Sequence, residues 1–399
     1  MQAQFKSDTY DLIDGDRIVR KAGKAPPASA DEHNDESDAI IRELSRYVQS
    51  ILLLDFDFEA IPLSERDGLE ATSTFLATKD WLTSTKIMII AHNAAGSKMG
   101  IFSRSICMDK GLSKGSMIPY IQRAREAGYA VVILRPNTNS YSKRSAKGII
   151  KIPIENSQTP EIHAAHVFEI VEERCVNCNN IALLAYGNGA CLCKDIFIRD
   201  SLYHGKVKAF LTIEASYIVE SDDALDIKQS IRRVAVNFEC NSAPRGFRLQ
   251  YRGDKLGCTA LSVGMPTDEQ SALLPDGTVD VANRGASLAL ALEPAFVYLE
   301  MANSQSGDSA SGQSDPTGKR APTLGAQFAD RFAQLSDIGS AVDAVIRHDP
   351  AASGMPGATP DADAKATTNA KPSGGIFSMI FGKGSSASDR RKSGKNKTE

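Results

Sequence analysis

Ile181-Ala182-Leu183-Leu184-Ala185-Tyr186-Gly187-Asn188-Gly189-Ala190 is an apolar strand that runs straight into a glycine-rich turn and a helix start. This is the layout of a nucleophile elbow, small-x-nucleophile-x-small, in which a strained turn holds the nucleophile and bulky neighbours would clash. Ala185 and Gly189 occupy the small positions, and Gly187 stands where the nucleophile belongs. Glycine adopts the turn's backbone angles freely but offers no hydroxyl or thiol. The elbow Tyr186-Gly187-Asn188-Gly189 therefore reads as degenerate, and no catalytic residue is assigned.

Short apolar strands and helices alternate on both sides of this turn. Strands are expected at Lys86 to Ala91, Tyr129 to Leu134, Ile181 to Tyr186 and Val207 to Ile213. Helices are expected at Met117 to Ala127, Pro160 to Cys175 and Ala190 to Ser201. The alternation predicts an α/β fold with a doubly wound, mostly parallel sheet of the α/β-hydrolase kind. Thr159-Pro160-Glu161 marks one helix start: a capping threonine, proline in the first turn and an acid at the positive dipole end. Upstream, Tyr10 to Val19 reads as a hairpin turning at Asp14-Gly15, Lys21 to Glu36 as a polar loop, and Asp38 to Leu53 as an amphipathic helix. From Ile231 to Ala302 the pattern is less regular, with strands at Val234 to Phe238 and Leu261 to Val263 and a helix around Ala295 to Met301.

The expected organisation is an N-terminal hairpin and loop over 1–36, the α/β domain over 37–302 and a low-complexity tail over 303–399. The tail is rich in Ser, Gly, Asp and Pro and is read as disordered. Phe328, Phe332, Leu335, Val342 and Val345 nevertheless fall at helical spacing, so 326–347 is a candidate amphipathic helix, either packed on the domain or bound to a partner. Ile376 to Phe381 forms an apolar patch, and Arg390, Arg391, Lys392, Lys395 and Lys397 form a basic end.

The 399 residues carry a formal charge of -3 and 42% hydrophobic residues, enough for a full core and without a global bias toward nucleic acid. No run approaches the roughly 18 apolar residues of a membrane span, and the first residues lack signal-peptide character. An intracellular location, nuclear or cytoplasmic, is expected. The seven cysteines are odd in number and irregular in spacing, so they are read as reduced thiols. Cys175 and Cys178 precede the elbow strand, whereas Cys191 and Cys193 follow it. A strand of that length holds the pairs about 15 to 20 Å apart, too far to share a zinc ion. Neither a metal nor a cofactor is expected.

Further motifs, in order, carry a resemblance. Ile89-Ile90-Ala91-His92-Asn93-Ala94-Ala95-Gly96 is similar to a strand leading into a His-Gly-Ser-Gly loop. Phe102 to Met108 follows it. Gly115-Ser116-Met117-Ile118-Pro119-Tyr120-Ile121-Gln122-Arg123-Ala124 is similar to a Gly-Thr-Gln-x-Pro-x-Ile-x-Arg-Ala run. Gly128-Tyr129-Ala130-Val131-Val132-Ile133-Leu134-Arg135-Pro136-Asn137 and Thr159-Pro160-Glu161-Ile162-His163 match two later runs. Together they resemble the Arb2 domain family, named for an Argonaute-binding protein of a fungal silencing complex and including animal cotranscriptional regulators. The resemblance covers about Phe5 to Ala302 and is weakest after Ile231. It implies a protein partner, Argonaute or chromatin-associated, with no nucleic-acid contact expected from the core. The chain departs from the family twice. Gly187 replaces the elbow serine of many members, and no histidine lies between His204 and His348, where a late base would fall in a Ser, Asp, His order.

Loops at the carboxyl ends of parallel strands converge on one crevice, so His92, Asn93, Asn137, Asn139, Gly187, Asn188 and Glu214 are expected to line a pocket. Taken singly, such residues more often cap helices or satisfy strand ends. His163 and His166 sit three apart on one helix, where packing or capping is expected rather than metal binding. Three functions remain open. The first is a non-catalytic interaction module in chromatin- or RNA-linked regulation. The second is a serine- or cysteine-type hydrolase with a displaced nucleophile, Cys191 or Ser97 with His92 or His163. The third is a small-molecule sensor.

Overall fold

The computed structural model describes residues 3–64, 71–92, 98–145, 148–199, 205–265, 284–305 and 323–334. An N-terminal hairpin, β1 (Tyr10–Ile13) and β2 (Arg17–Arg20), turns where expected, with Asp14 and Gly15 both at positive φ. Helix α1 (Ala30–Asp55) follows; of the loop expected over 21–36, residues 21–29 remain irregular and 30–36 are helical instead. Ser29 caps it by accepting from the Glu32 amide, and Asp31 and Glu32 place charge on the first turn, so a polar stretch without apolar periodicity still begins a helix.

The central sheet comprises β3 (Phe58–Pro62), β4 (Thr74–Thr78), β5 (Lys86–His92), β6 (Ala130–Ile133), β9 (Asn180–Tyr186), β10 (Val207–Ile213), β11 (Ala235–Glu239) and β12 (Thr259–Ser262). Its eight strands lie in the order β12-β11-β10-β9-β5-β6-β4-β3, with β4 antiparallel to both neighbours and the strands from β6 across to β12 parallel. The connecting helices are α2 (Arg104–Asp109), α3 (Leu112–Gly115), α4 (Ile118–Glu126), α5 (Pro160–Arg174), α6 (Gly189–Arg199), α7 (Leu225–Val234), α8 (Gln250–Leu256) and α9 (Ser287–Gln305). This mostly parallel, doubly wound arrangement is α/β-hydrolase-like.

Strand alternation divides the interior into two layers. Met88 and Ile90 of β5 face a core with α1, α4 and α9, whereas Ile87, Ile89 and Ala91 face a core with α5, α6 and α7. Burial on both faces explains why the central strands read as continuous apolar runs. The first core also takes in a helix over 324–334, where Phe328 is fully buried edge-on to Tyr298 and Phe238 and stacked on Phe332. Of the two roles left open for the candidate helix at 326–347, the described part shows packing, and residues beyond 302 contribute to this core. The Ile376 to Phe381 patch and the basic end lie outside the described residues.

A separate two-stranded hairpin, β7 (Ser140–Ser145) with β8 (Gly148–Pro153), interrupts the path from β6 to α5. Between β5 and β9 the direction of winding reverses: the chain passes from β5 to β6 on one side and returns to β9 on the other, with His92 in register with Tyr186. In an open α/β sheet the crevice lies at such a point, outside the carboxyl ends of the strands.

Candidate functional site

The elbow follows β9 directly. Gly187 adopts φ +55°, its N–H donates to the Ile213 carbonyl at 2.9 Å, and α6 starts two residues later. A Cβ built on Gly187 meets nothing within 4 Å, so the nucleophile's position opens onto free space among the described residues. Gly189 is different. A Cβ there would fall 2.3 Å from the Ala91 carbonyl oxygen, so α6 approaches β5 closely only because this residue has no side chain. Asn188 is exposed, and its carbonyl accepts from the Cys191 amide at 3.1 Å.

His92 ends β5 at the same edge. Its ring packs against Phe102 and Tyr186, with centroids 5.9 and 5.5 Å away. Burial among these rings lowers its pKa to about 4, and a backbone hydrogen bond with Tyr186 offsets this only in part. The imidazole is neutral at physiological pH, and its buried Nδ1 has no hydrogen-bond partner among the described residues. Asn93 and Ser97 lie outside them.

A cleft of about 140 Å³ opens beside His92, between the carboxyl ends of β5 and β6 and the face of α1. Asn137 lines it, together with Gln49, Lys98, Met99, Arg135 and Thr138. The structure thus brings two of the expected pocket residues, His92 and Asn137, to one cavity. Asn139 is engaged elsewhere, its amide donating to the carbonyls of Pro136 and Ser157 at 2.8 Å each. Glu214, at φ +51°, accepts the Cys240 amide at 2.8 Å and so fastens the turn after β11. Neither lines the cleft, and nor do Gly187 and Asn188.

Arg135 and Lys98 were not singled out from the sequence. Arg135 occupies the loop after β6, two residues before Asn137, so the strand-end rule is the signal that points to it. The contributions of Gln49 and Ser45 come from α1, far away in sequence, and no motif signals them. The cleft loop is braced by His163, which is fully buried. The Arg135 amide donates to His163 Nε2 at 3.0 Å, so the ring proton resides on Nδ1 and faces Ser157 Oγ at 3.1 Å. Ser157 Oγ in turn donates to the Thr138 carbonyl at 2.8 Å. Burial first, then the charges of Arg135 and His166, lower the His163 pKa to about 3. His166 contacts Glu169 and the Leu63 carbonyl at 3.0 Å each.

The remaining expected chemistry is sparse. Burial raises the Cys191 thiol pKa, which keeps it protonated, and no histidine hydrogen-bonds it among the described residues. The Asn237 amide bridges Thr212 and Glu239, and Arg252 pairs with Glu239, so the carboxylate at the end of β11 is committed to structure. No cluster of metal-ligating side chains occurs among the described residues.

A model of the Arb2 domain matches residues 30–245. Among curated relatives, the cotranscriptional regulator ARB2A homolog of Xenopus tropicalis is 30% identical over 113 residues, which is 28% of this chain and 26% of the relative. The human putative protein ARB2BP is 25% identical over 187 residues, 39% of this chain and 51% of the relative. The matches therefore span about a quarter to a half of these relatives' lengths. Among solved structures, a histone deacetylase from Saccharomyces cerevisiae superposes with a TM-score of 0.37 at 16% identity, covering 58% of this chain and 89% of that one. A poly(3-hydroxybutyrate) depolymerase from Bordetella parapertussis gives 0.30 at 11%, covering 61% and 98%. Superpositions this loose add nothing to the strand order. The Arb2 match extends over more than half of the 399 residues and contains the β5 and β9 turns of the site, and the chain belongs to the Arb2 domain family.

Proposed function

We propose that this chain is a non-catalytic, hydrolase-fold interaction module that binds a protein partner in chromatin- or RNA-linked gene regulation. The observation that carries the reading is Gly187: the elbow keeps its left-handed backbone and an open position above it, and the residue there has no atom that can attack. His92 is neutral and packed among aromatic rings, and His163 is spent on bracing the Arg135 loop, so neither stands ready as a base for that position. The relatives named as cotranscriptional regulators support the regulatory setting, and with it a nuclear site of action. Among the described residues no helix is long and apolar enough to cross a membrane.

Affinity purification of the full chain from native extract, with Argonaute and chromatin-associated proteins as the test set, checks the partner class. Enrichment of members of that set over a chain unfolded by Gly189→Leu is expected. Absence of the whole set, with the chain folded, would overturn the partner assignment.

A further inference from the structure

The formal charge of -3 hides a segment of opposite sign. Between Glu126 and Glu155 the sequence has five Lys or Arg and no Asp or Glu, and three of these cations, Lys143, Arg144 and Lys151, stand on the strands of hairpin β7–β8. The register pairs Ser142 with Lys151 and Arg144 with Ile149. Cross-strand partners share a face, so Ser140, Ser142, Arg144, Ile149, Lys151 and Pro153 make up one side of the ribbon. All six are exposed. Ile149, 77% exposed, lies across from Arg144 and two residues from Lys151, and neither cation forms an ion pair among the described residues. Neither strand pairs with the central sheet, and none of their residues joins its two cores. A lone two-stranded hairpin is marginal in water, yet the root of this one is clamped. The Ile154 amide donates to the Asn139 carbonyl at 2.9 Å, the Asn139 side chain ties Pro136 to Ser157, and the Ser157 hydroxyl reaches Thr138. The brace around His163 thus fixes the base of an element that takes no part in the core.

A ribbon clamped at its root, with one wholly exposed face that carries cations, hydroxyls and an apolar side chain but no carboxylate, is built like a groove-binding arm. We propose that hairpin β7–β8 inserts into the major groove of duplex DNA, with Arg144 and Lys151 on the phosphates of its walls and Ile149 packed against base edges within it. With six residues in each strand, the ribbon is about 20 Å long at roughly 3.4 Å per residue. A two-stranded ribbon is what the roughly 12 Å major groove of B-form DNA admits, whereas the deep, narrow major groove of A-form RNA excludes it. Lys, Arg and Ser side chains on phosphates position a protein without reading sequence, so binding is expected to be indifferent to sequence. An acidic polypeptide would meet the same charge; the dimensions of the ribbon favour the duplex. This arm is separate from the protein-binding role proposed above, and it departs from the expectation that the core makes no nucleic-acid contact.

Fluorescence anisotropy of a mixed-sequence DNA duplex of about 20 base pairs, titrated with the full chain over a series of salt concentrations, tests this directly. An RNA duplex of the same sequence, polyglutamate and phosphatidylserine vesicles serve as competitors. Saturable, strongly salt-dependent binding to the DNA is expected, with each competitor displacing it only at higher concentrations of charge. The double variant Arg144→Gln/Lys151→Gln should weaken binding by about tenfold or more and lower the salt slope by about two, one for each phosphate contact. The basic end from Arg390 to Lys397 is the same in both chains, so their difference reads the hairpin alone. Ile149→Thr keeps a β-branched residue in the strand and should weaken binding by about fivefold with the salt slope unchanged. All three positions are exposed, and the thermal unfolding midpoint should stay that of the wild type. Absence of saturable binding, or binding that the double variant leaves unchanged, would overturn the proposal. So would equal or better competition by the RNA duplex, the polyglutamate or the vesicles, and an Ile149→Thr chain that binds as the wild type would overturn insertion into the groove.

Discussion

His163 and His92 are both buried histidines held neutral beside the loop that follows β6, and their hydrogen bonds differ. His163 is engaged on both nitrogens, accepting from Arg135 and facing Ser157, and its partners return to the Arg135–Thr138 loop. His92 lines the cleft, and its buried Nδ1 has no hydrogen-bond partner among the described residues. Burial depresses both pKa values, so a shifted pKa does not separate a bracing ring from one with an unpartnered nitrogen. Saturation of the ring does. The two elbow glycines differ in a parallel way: Gly189 is required by lack of space, Gly187 by its backbone angle alone.

The largest effect should come from breaking the brace. His163→Ala strands the Arg135 amide and the Ser157 hydroxyl in the interior and leaves a void, which should cost about 3 kcal/mol in urea unfolding. His92→Phe removes an orphan nitrogen while keeping a ring against Phe102 and Tyr186, so it should change stability by less than about 1 kcal/mol. Equal costs would dissolve the distinction between the two sites.

Acid sharpens the same point. Above pH 6.5 both rings are neutral folded or unfolded and contribute no pH dependence. Below it the unfolded chain binds protons that the native chain refuses, so stability falls with pH, down to about 4 for His92 and about 3 for His163. Each histidine adds a slope of up to about 1.4 kcal/mol per pH unit. Unfolding series on the wild type and His92→Phe between pH 7 and 5 should show a shallower slope in the variant. Identical slopes would mean that His92 titrates normally.

At the elbow the effects fall between those of the two histidine substitutions. Gly189→Ala drives a methyl into the Ala91 carbonyl and should cost about 2 kcal/mol, by overpacking. Gly187→Ala has free space and should cost only about 1 kcal/mol, the penalty of a left-handed alanine. Thermal unfolding of both variants checks the order, and a reversed order would show that the turn tolerates a side chain where the structure leaves no room.

Much of the central sheet was legible because its strands are buried on both faces and stand out as apolar runs between capped helices, as at Ile181 to Tyr186 and Thr159-Pro160-Glu161. Hairpin β7–β8 was not legible: nine of its twelve strand residues are exposed and none is buried, so no alternation of burial marks it. The start of α1 was missed because its first two turns are polar and only the Ser29 cap announces them. Strand-end logic located His92 and Asn137 but placed Asn139 and Glu214 with them, since the sequence does not say which polar side chains the turns consume. The cleft's wall from α1 depends on tertiary packing across more than forty residues, which no local pattern records.

Fluorophosphonate labelling of the full chain, with short acyl esters as parallel substrates, decides the proposal that the hydrolase-like frame here has no working nucleophile. No stoichiometric label and no turnover are expected, and none on Gly187→Ser either, because a hydroxyl without a base remains a weak nucleophile. Labelling of one serine, or ester turnover abolished by a single substitution in the folded chain, would contradict it.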